Sequence, residues 1–299
     1  MSNQLALVKK DTVDIVATKI RQFQSSGELS LPANYSPENA MKSAWLTIQE
    51  TTDRNNKLAF EVCTKDSIAN SLLNMVVQGL NPAKKQCYFI VYGSQLQLQR
   101  SYFGTMHVAK TVNPDIEEIV SDVVYLDDEF EYEKHRGKTI ITKHKQKLSD
   151  IDKTKIIAAY CTVIYCEGKE DSTIMTIDEI KQAWKQSRMN PITEKGDIKP
   201  GSAHDKFTAE MAKKTVTNRA CKYIINASND DSLVISSYHN TCEESTETRV
   251  NREIKENANK IEIDVDAETG EVINFPSLEE VNIEIPPEDT EEPINQPGF

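Results

Sequence analysis

The chain has 299 residues, 38% of them hydrophobic and 7% aromatic, and a formal net charge of −12. No stretch approaches the roughly 20 apolar residues of a membrane span, and residues 1–10 lack the apolar centre of a signal peptide, so a cytoplasmic protein with one sizeable core is expected. The charge is uneven: residues 243–299 hold 17 Asp/Glu against 4 Lys/Arg, a net of −13 that leaves +1 for residues 1–242, so overall acidity does not exclude a polyanionic partner.

In chain order, Val13, Val16, Ile20 and Phe23 recur at helical spacing beside Lys9, Lys10, Lys19 and Arg21, which predicts an N-terminal amphipathic helix. Ser36 followed by Pro37 reads as an N-cap and first helical residue, with Ala40, Ala44, Trp45 and Ile48 as the buried stripe. A third helix over SIANSLLNMVVQ turns Ile68, Leu72, Met75 and Val76 inward and stops at Gly79 and Pro82.

CYFIVYG and QLQLQR then alternate like two strands. Leu96 and Leu98 share one face, and Gln95, Gln97 and Gln99 the other. Arg100 and Tyr102 fall on the leucine parity, which places Arg100 either where that face meets solvent or after a bulge. After a short helical stretch, residues 118–146 and 155–166 read as antiparallel strands turning at Arg136-Gly137. Thr176 and Glu179 form a capping box for a helix carrying Trp184, and MNPITEKGDIKPGSAH is a long loop. In the last strong helix, HDKFTAEMAKKTVTNRACKYIINAS, the inward stripe is Ala209, Ala212, Val216, Ala220, Tyr223 and Ala227, with Lys213 and Arg219 bordering it on opposite sides.

The fold class expected is α+β, an antiparallel sheet packed with helices in a single core. Its parts are an N-terminal helical segment (1–35) that contacts other copies, a core (36–228), and an acidic, mostly disordered tail (229–299) with too little apolar surface to offset ordering entropy. The six cysteines contain no CxxC pair and read as reduced packing thiols.

Residues 67–114 contain no Asp or Glu, where composition would place roughly seven or eight in such a window. Lys84, Lys85, Arg100 and Lys110 therefore have no local carboxylate to neutralise them. Lysines and arginines that displace counterions grip phosphates without reading sequence, and neutral Gln97 and Gln99 can hydrogen-bond a sugar-phosphate chain without repelling it. Tyr102 adds a stacking surface. Across a cleft, the late helix bearing Lys213, Lys214 and Arg219 would form the facing wall. LDDEFEYE is the best case for metal-dependent phosphodiester cleavage, although period two makes Glu129, Glu131 and Glu133 an ordinary solvated strand face. No GxxxxGK[ST] loop indicates ATP use.

Five segments in order, GLNP, CYFIVYG, QLQLQRSYFG, VVYLDDEFEY and MAKKTVTNRACKYI, resemble the RecT family of phage-type recombinases over about residues 30–228. The resemblance implies ATP-independent binding of single-stranded DNA and annealing of complementary strands, with an annealed duplex intermediate, no covalent catalysis, no cofactor and no metal. It also implies rings or helical filaments of identical subunits with DNA in a basic groove, and work alongside a partner exonuclease and host single-strand DNA-binding protein. Two departures stand out. Family members commonly carry a basic residue where this chain has Phe103, between Tyr102 and Gly104, and an apolar one at Arg100. The alternatives are a metal-dependent nuclease and a non-catalytic duplex DNA-binding or scaffold protein. The tail, ending in Pro-Gly-Phe299, loosely resembles the acidic tips of bacterial single-strand DNA-binding proteins; it would solubilise the protein, compete with DNA, or dock on proteins that such tips recruit.

Overall fold

The computed structural model describes residues 2–187, 190–228 and 233–241. Helix α1 (Ser2–Ser25) buries Val16 and Ile20 against the body, so the N-terminal segment belongs to the core rather than standing apart. Helix α2 (Pro37–Glu50) starts as its sequence dictates: the Ser36 side chain accepts from the Asn39 amide, and Ala40, Ala44, Trp45 and Ile48 are fully buried. A single turn, α3 (Ala59–Val62), leads to α4 (Lys65–Val77), whose inward residues are those of the expected stripe. Gly79 then takes a left-handed φ of 65° that ends the helix.

Strands β1 (Cys87–Tyr92) and β2 (Gln95–Arg100) form an antiparallel hairpin in continuous register, from Cys87 opposite Arg100 to Tyr92 opposite Gln95. Phe89, Val91, Leu96 and Leu98 are buried against α4. Ser71 Oγ donates to the Leu96 carbonyl at 2.8 Å and Ser67 Oγ accepts from the Leu96 amide at 3.1 Å, a polar clasp between helix and strand. Helix α5 (Tyr102–Val112) follows at once, capped by Ser101.

The second part of the core is a three-stranded antiparallel sheet in the order β3 (Ile116–Tyr125), β6 (Ile156–Tyr165), β7 (Glu170–Thr176). A separate hairpin, β4 (Glu129–His135) with β5 (Lys138–Lys145), projects from it and has no buried residue. Its turn at Arg136-Gly137 has positive φ at both positions, as a tight hairpin requires. The root is held where His144 Nδ1 meets Tyr160 Oη at 2.9 Å and Phe130 packs on both rings. Helix α6 (Ile177–Lys185) opens with the Thr176–Glu179 capping box.

The expected last helix is two, α7 (Ala203–Lys206) and α8 (Thr208–Asn226), broken at Phe207. Helix α8 lies across β3 and β6, with α5 beside it. Its inward arc drifts along its length: Ala212, Val216 and Ala220 are buried as expected, but Cys221 and Ile225 then replace Tyr223 and Ala227, which are exposed.

The core continues beyond residue 228. Helix α9 (Leu233–Asn240) buries Val234 and Tyr238 against it, within the stretch 229–299 expected to be a mostly disordered tail. The acidic tail expected to be disordered lies, from residue 242 on, outside the described residues. No helix of the described residues is long and apolar enough to cross a membrane.

Burial pushes the thiols of Cys87 and Cys221 up to about 12 and that of Cys161 to about 11, while Cys166 is exposed. Since the thiolate is the reactive form, iodoacetamide at pH 8 followed by peptide mapping should label Cys166 first and the other three only on unfolding. Native-state labelling of Cys87 at the rate of Cys166 would contradict this packing.

Candidate nucleic-acid interface

Antiparallel pairing puts directly opposed residues on one face. Tyr88 with Gln99, Ile90 with Gln97 and Tyr92 with Gln95 therefore make an outer hairpin face of tyrosine, isoleucine and glutamine that carries no charge. Tyr88 is 50% exposed on this face. The glutamines were legible from alternation. Tyr88 and Tyr92 were missed, although CYFIVY places them on one parity just as clearly.

The chain then turns sharply into α5. The Ser101 amide donates to the Gln86 carbonyl at 2.9 Å and its hydroxyl to the Lys85 carbonyl at 2.7 Å. This fastens Lys84 and Lys85, both exposed on the turn before β1, to the start of α5. A Cβ at Gly104 would collide with the Gln86 carbonyl oxygen and lie 2.7 Å from Arg100 Cγ, so only glycine fits that approach. Tyr102 begins the helix rather than continuing the strand, and its ring lies 4.0 Å from that of Phe103, centroid to centroid.

Lys213 of α8 comes into electrostatic reach of Tyr102 there. The Tyr102 phenol is pushed up by burial and by Glu210, and drawn down by Lys213, with Tyr88 also close enough to act on it. Tyr125, at the end of β3, feels Lys213 and Glu210 as well. Burial alone would push the Lys213 ammonium down; its hydrogen bond and ion pair with Glu210 at 2.6 Å, with Asp122 beyond, outweigh burial and raise it. Lys213 is 28% exposed and Glu210 60%. A pair of this kind, three residues apart on a helix and open to water, is worth about 0.3–0.5 kcal/mol, so a phosphate can take Glu210's place at little cost.

The other candidates lie elsewhere. Lys110 donates to the Glu117 carbonyl at 2.8 Å, a turn-and-strand tie at the far end of α5. Lys214 is exposed beside His204 and helps hold that imidazole below its ordinary value, after burial. Arg219 reaches toward Glu179 of α6, 4.0 Å away, on the opposite side of α8 from Lys213. The expected wall of Lys213, Lys214 and Arg219 is therefore not one surface.

Arg100 requires a correction. Its strand has no bulge, so the leucine parity carries the side chain inward, away from the hairpin's outer face. The guanidinium donates at 2.7 Å to both Gln78 Oε1 and Thr241 Oγ1, lies 3.3 Å from Thr105 Oγ1, and sits 3.8 Å over the Tyr238 ring. Gln78 in turn donates to Ser237 and Thr241. This polar cluster docks α9 on the end of β2, and the fork that fits it is spent there.

The acidic strand β4 stands apart from this face. Lys143 bridges Glu129 at 2.9 Å and Glu131 at 3.4 Å, so the carboxylates share a cation on a solvated strand. Among the described residues, no group of three or more His, Cys, Asp and Glu is gathered as a metal ion would need.

Helices and antiparallel strands in one core define an α+β protein with an uncharged tyrosine-glutamine face on its β1–β2 hairpin. The family profile described as the RecT family matches residues 38–258, and the chain belongs to that family. Membership implies DNA binding in recombination. No curated protein matches the chain.

Replacing Arg100 by Leu removes the charged donor from Gln78 Oε1 and Thr241 Oγ1 and should destabilise the fold by about 1–3 kcal/mol, measured by denaturant titration, with DNA affinity of the folded protein unchanged. Reduced affinity at unchanged stability would return Arg100 to the interface.

Proposed function

We propose that the protein binds single-stranded DNA and anneals complementary strands without ATP, gripping phosphates with Lys84, Lys85 and Lys213 while the strand lies along Gln97, Gln99, Tyr88 and Tyr102. What supports the reading most is charge segregation: the hairpin's outer face and α5 come from a carboxylate-free stretch of 48 residues, and Lys213 of α8, paired with Glu210, comes within electrostatic reach of Tyr102. Electrostatic grip with neutral side chains under the strand holds it without sequence preference, and a strand held by its backbone keeps its base edges free to test a partner.

Annealing needs no bond chemistry, since pairing is downhill once strands are extended and aligned. Copies of the chain assemble into a ring or helical filament, with α1 contributing to the contact; Ile15, 61% exposed on α1, is apolar surface left for it. A partner exonuclease would supply single strands, and host single-strand DNA-binding protein would be the competitor for them.

The test combines gel shifts with salt. Wild type should retain single-stranded oligonucleotide, and complementary oligonucleotides added in sequence should give a stable complex that preformed duplex does not. K84A/K85A/K213A should flatten the log affinity against log salt plot by about two units, at roughly 0.7 per lost contact on a single strand. Unchanged affinity and slope in this variant would overturn the assignment of the face, and equal binding of preformed duplex would overturn annealing in favour of a scaffold role.

A further inference from the structure

The far ends of α5 and α8 enclose a groove of about 540 Å³ that the phosphate-gripping lysines do not use. It is lined by Val112 and Asn113 from α5 and its cap, by Tyr165 at the end of β6, and by Tyr223, Ile224 and Ala227 of α8. None of these residues is charged. Tyr223 is 74% exposed, because the buried arc of α8 has drifted past it to Cys221 and Ile225. Its ring is therefore open to solvent at the groove.

Tyr165 and Tyr223 are within electrostatic reach of each other. Among the described residues, though, no ring contact joins them: each faces the groove without touching the other. Lys138, at the start of β5, brings its ammonium within 5.9 Å of the Tyr165 ring centroid, and among the described residues it has no carboxylate at ion-pair distance. An adjoining hollow contains Asp115 and Glu167, but Glu167 is paired to Lys169 at 2.8 Å. The groove thus offers two phenols for a flat ring, and Lys138 supplies a cation from the adjoining hollow, which Asp115 shares, with Asp171 also acting on Tyr165.

Position ties it to the lysine-bordered face. Ile224 follows Lys213 by eleven residues, which returns it to within about 20° of the same row of α8 and about 16 Å along the axis. Helix α5 spans the same interval, from Tyr102 beside Lys213 to Val112 at the groove.

We propose that this groove is a base-stacking subsite, which takes one nucleobase of the bound single strand against Tyr223 and Tyr165 and the adjacent phosphate at Lys138. The proposal rests on the single-strand binding argued above. It gives the strand a second hold three turns of α8 from Lys213, by stacking rather than charge.

The experiment uses the full chain. Tyr223→Ala, at an exposed position, should lower affinity for an oligothymidine by about fivefold to a hundredfold with little change in the salt slope, and Tyr223→Phe should restore it, since the ring and not the hydroxyl stacks. A base-contact readout accompanies this: oligothymidine carrying 5-iododeoxyuridine should crosslink under light to peptides containing Tyr223 or Tyr165. If wild type retains the oligonucleotide, yet Tyr223→Ala binds equally and no crosslink maps to either tyrosine, the subsite is wrong while the binding reading stands. If wild type retains no single strand at all, the binding reading itself has failed.

Discussion

Everything on the proposed interface hangs from the close approach of α5 to the β1–β2 hairpin. Ser101 ties the turn back to Lys85 and Gln86, and Gly104 lets the helix backbone pass where any side chain would strike the Gln86 carbonyl. That contact sets Tyr102 at the hairpin's base and the rest of α5 alongside α8, which brings Lys213 to a surface formed by residues more than a hundred positions earlier. Glycine at 104 is therefore a packing requirement, not a turn requirement.

Charge is arranged to match. The β1–β2 hairpin with α5 supplies a stretch without carboxylates, so the acidic groups nearest it come from other elements, Glu210 of α8 and Asp122 of β3, both acting on Lys213. A protein whose total charge repels DNA can still hold it if the repelling groups are kept away from the contact, because screening limits each charge to about 10 Å at moderate salt. The two holds proposed along α8 divide the work: lysines supply grip that falls with salt, and tyrosines supply grip that does not.

Local signals told the truth about local structure. Ser36-Pro37, the Ile68–Val76 stripe and the Thr176–Glu179 box each specify a helix start or face within a few residues, and each held. What the sequence concealed was remote. Nothing near Arg100 announces that Gln78 and Thr241, 22 and 141 positions away, would receive its guanidinium. Helix α9 is held by that polar cluster as well as by Val234 and Tyr238, and it has only eight residues, too few for hydrophobic period to mark it clearly. On α8, a fixed 100° step carried the inward stripe to Tyr223, whereas the helix crosses two strands and its buried arc turns as it goes.

The central claim is that single-stranded DNA runs over the uncharged outer face of the β1–β2 hairpin, on the side that Lys213 reaches, and not over the projecting β4–β5 hairpin. A photo-reactive p-benzoylphenylalanine placed in turn at Gln97 and at Tyr132 measures this directly, through the yield of crosslink to a labelled single strand. Crosslinking from position 97 and none from position 132 is the expected result. The reverse pattern would contradict the account.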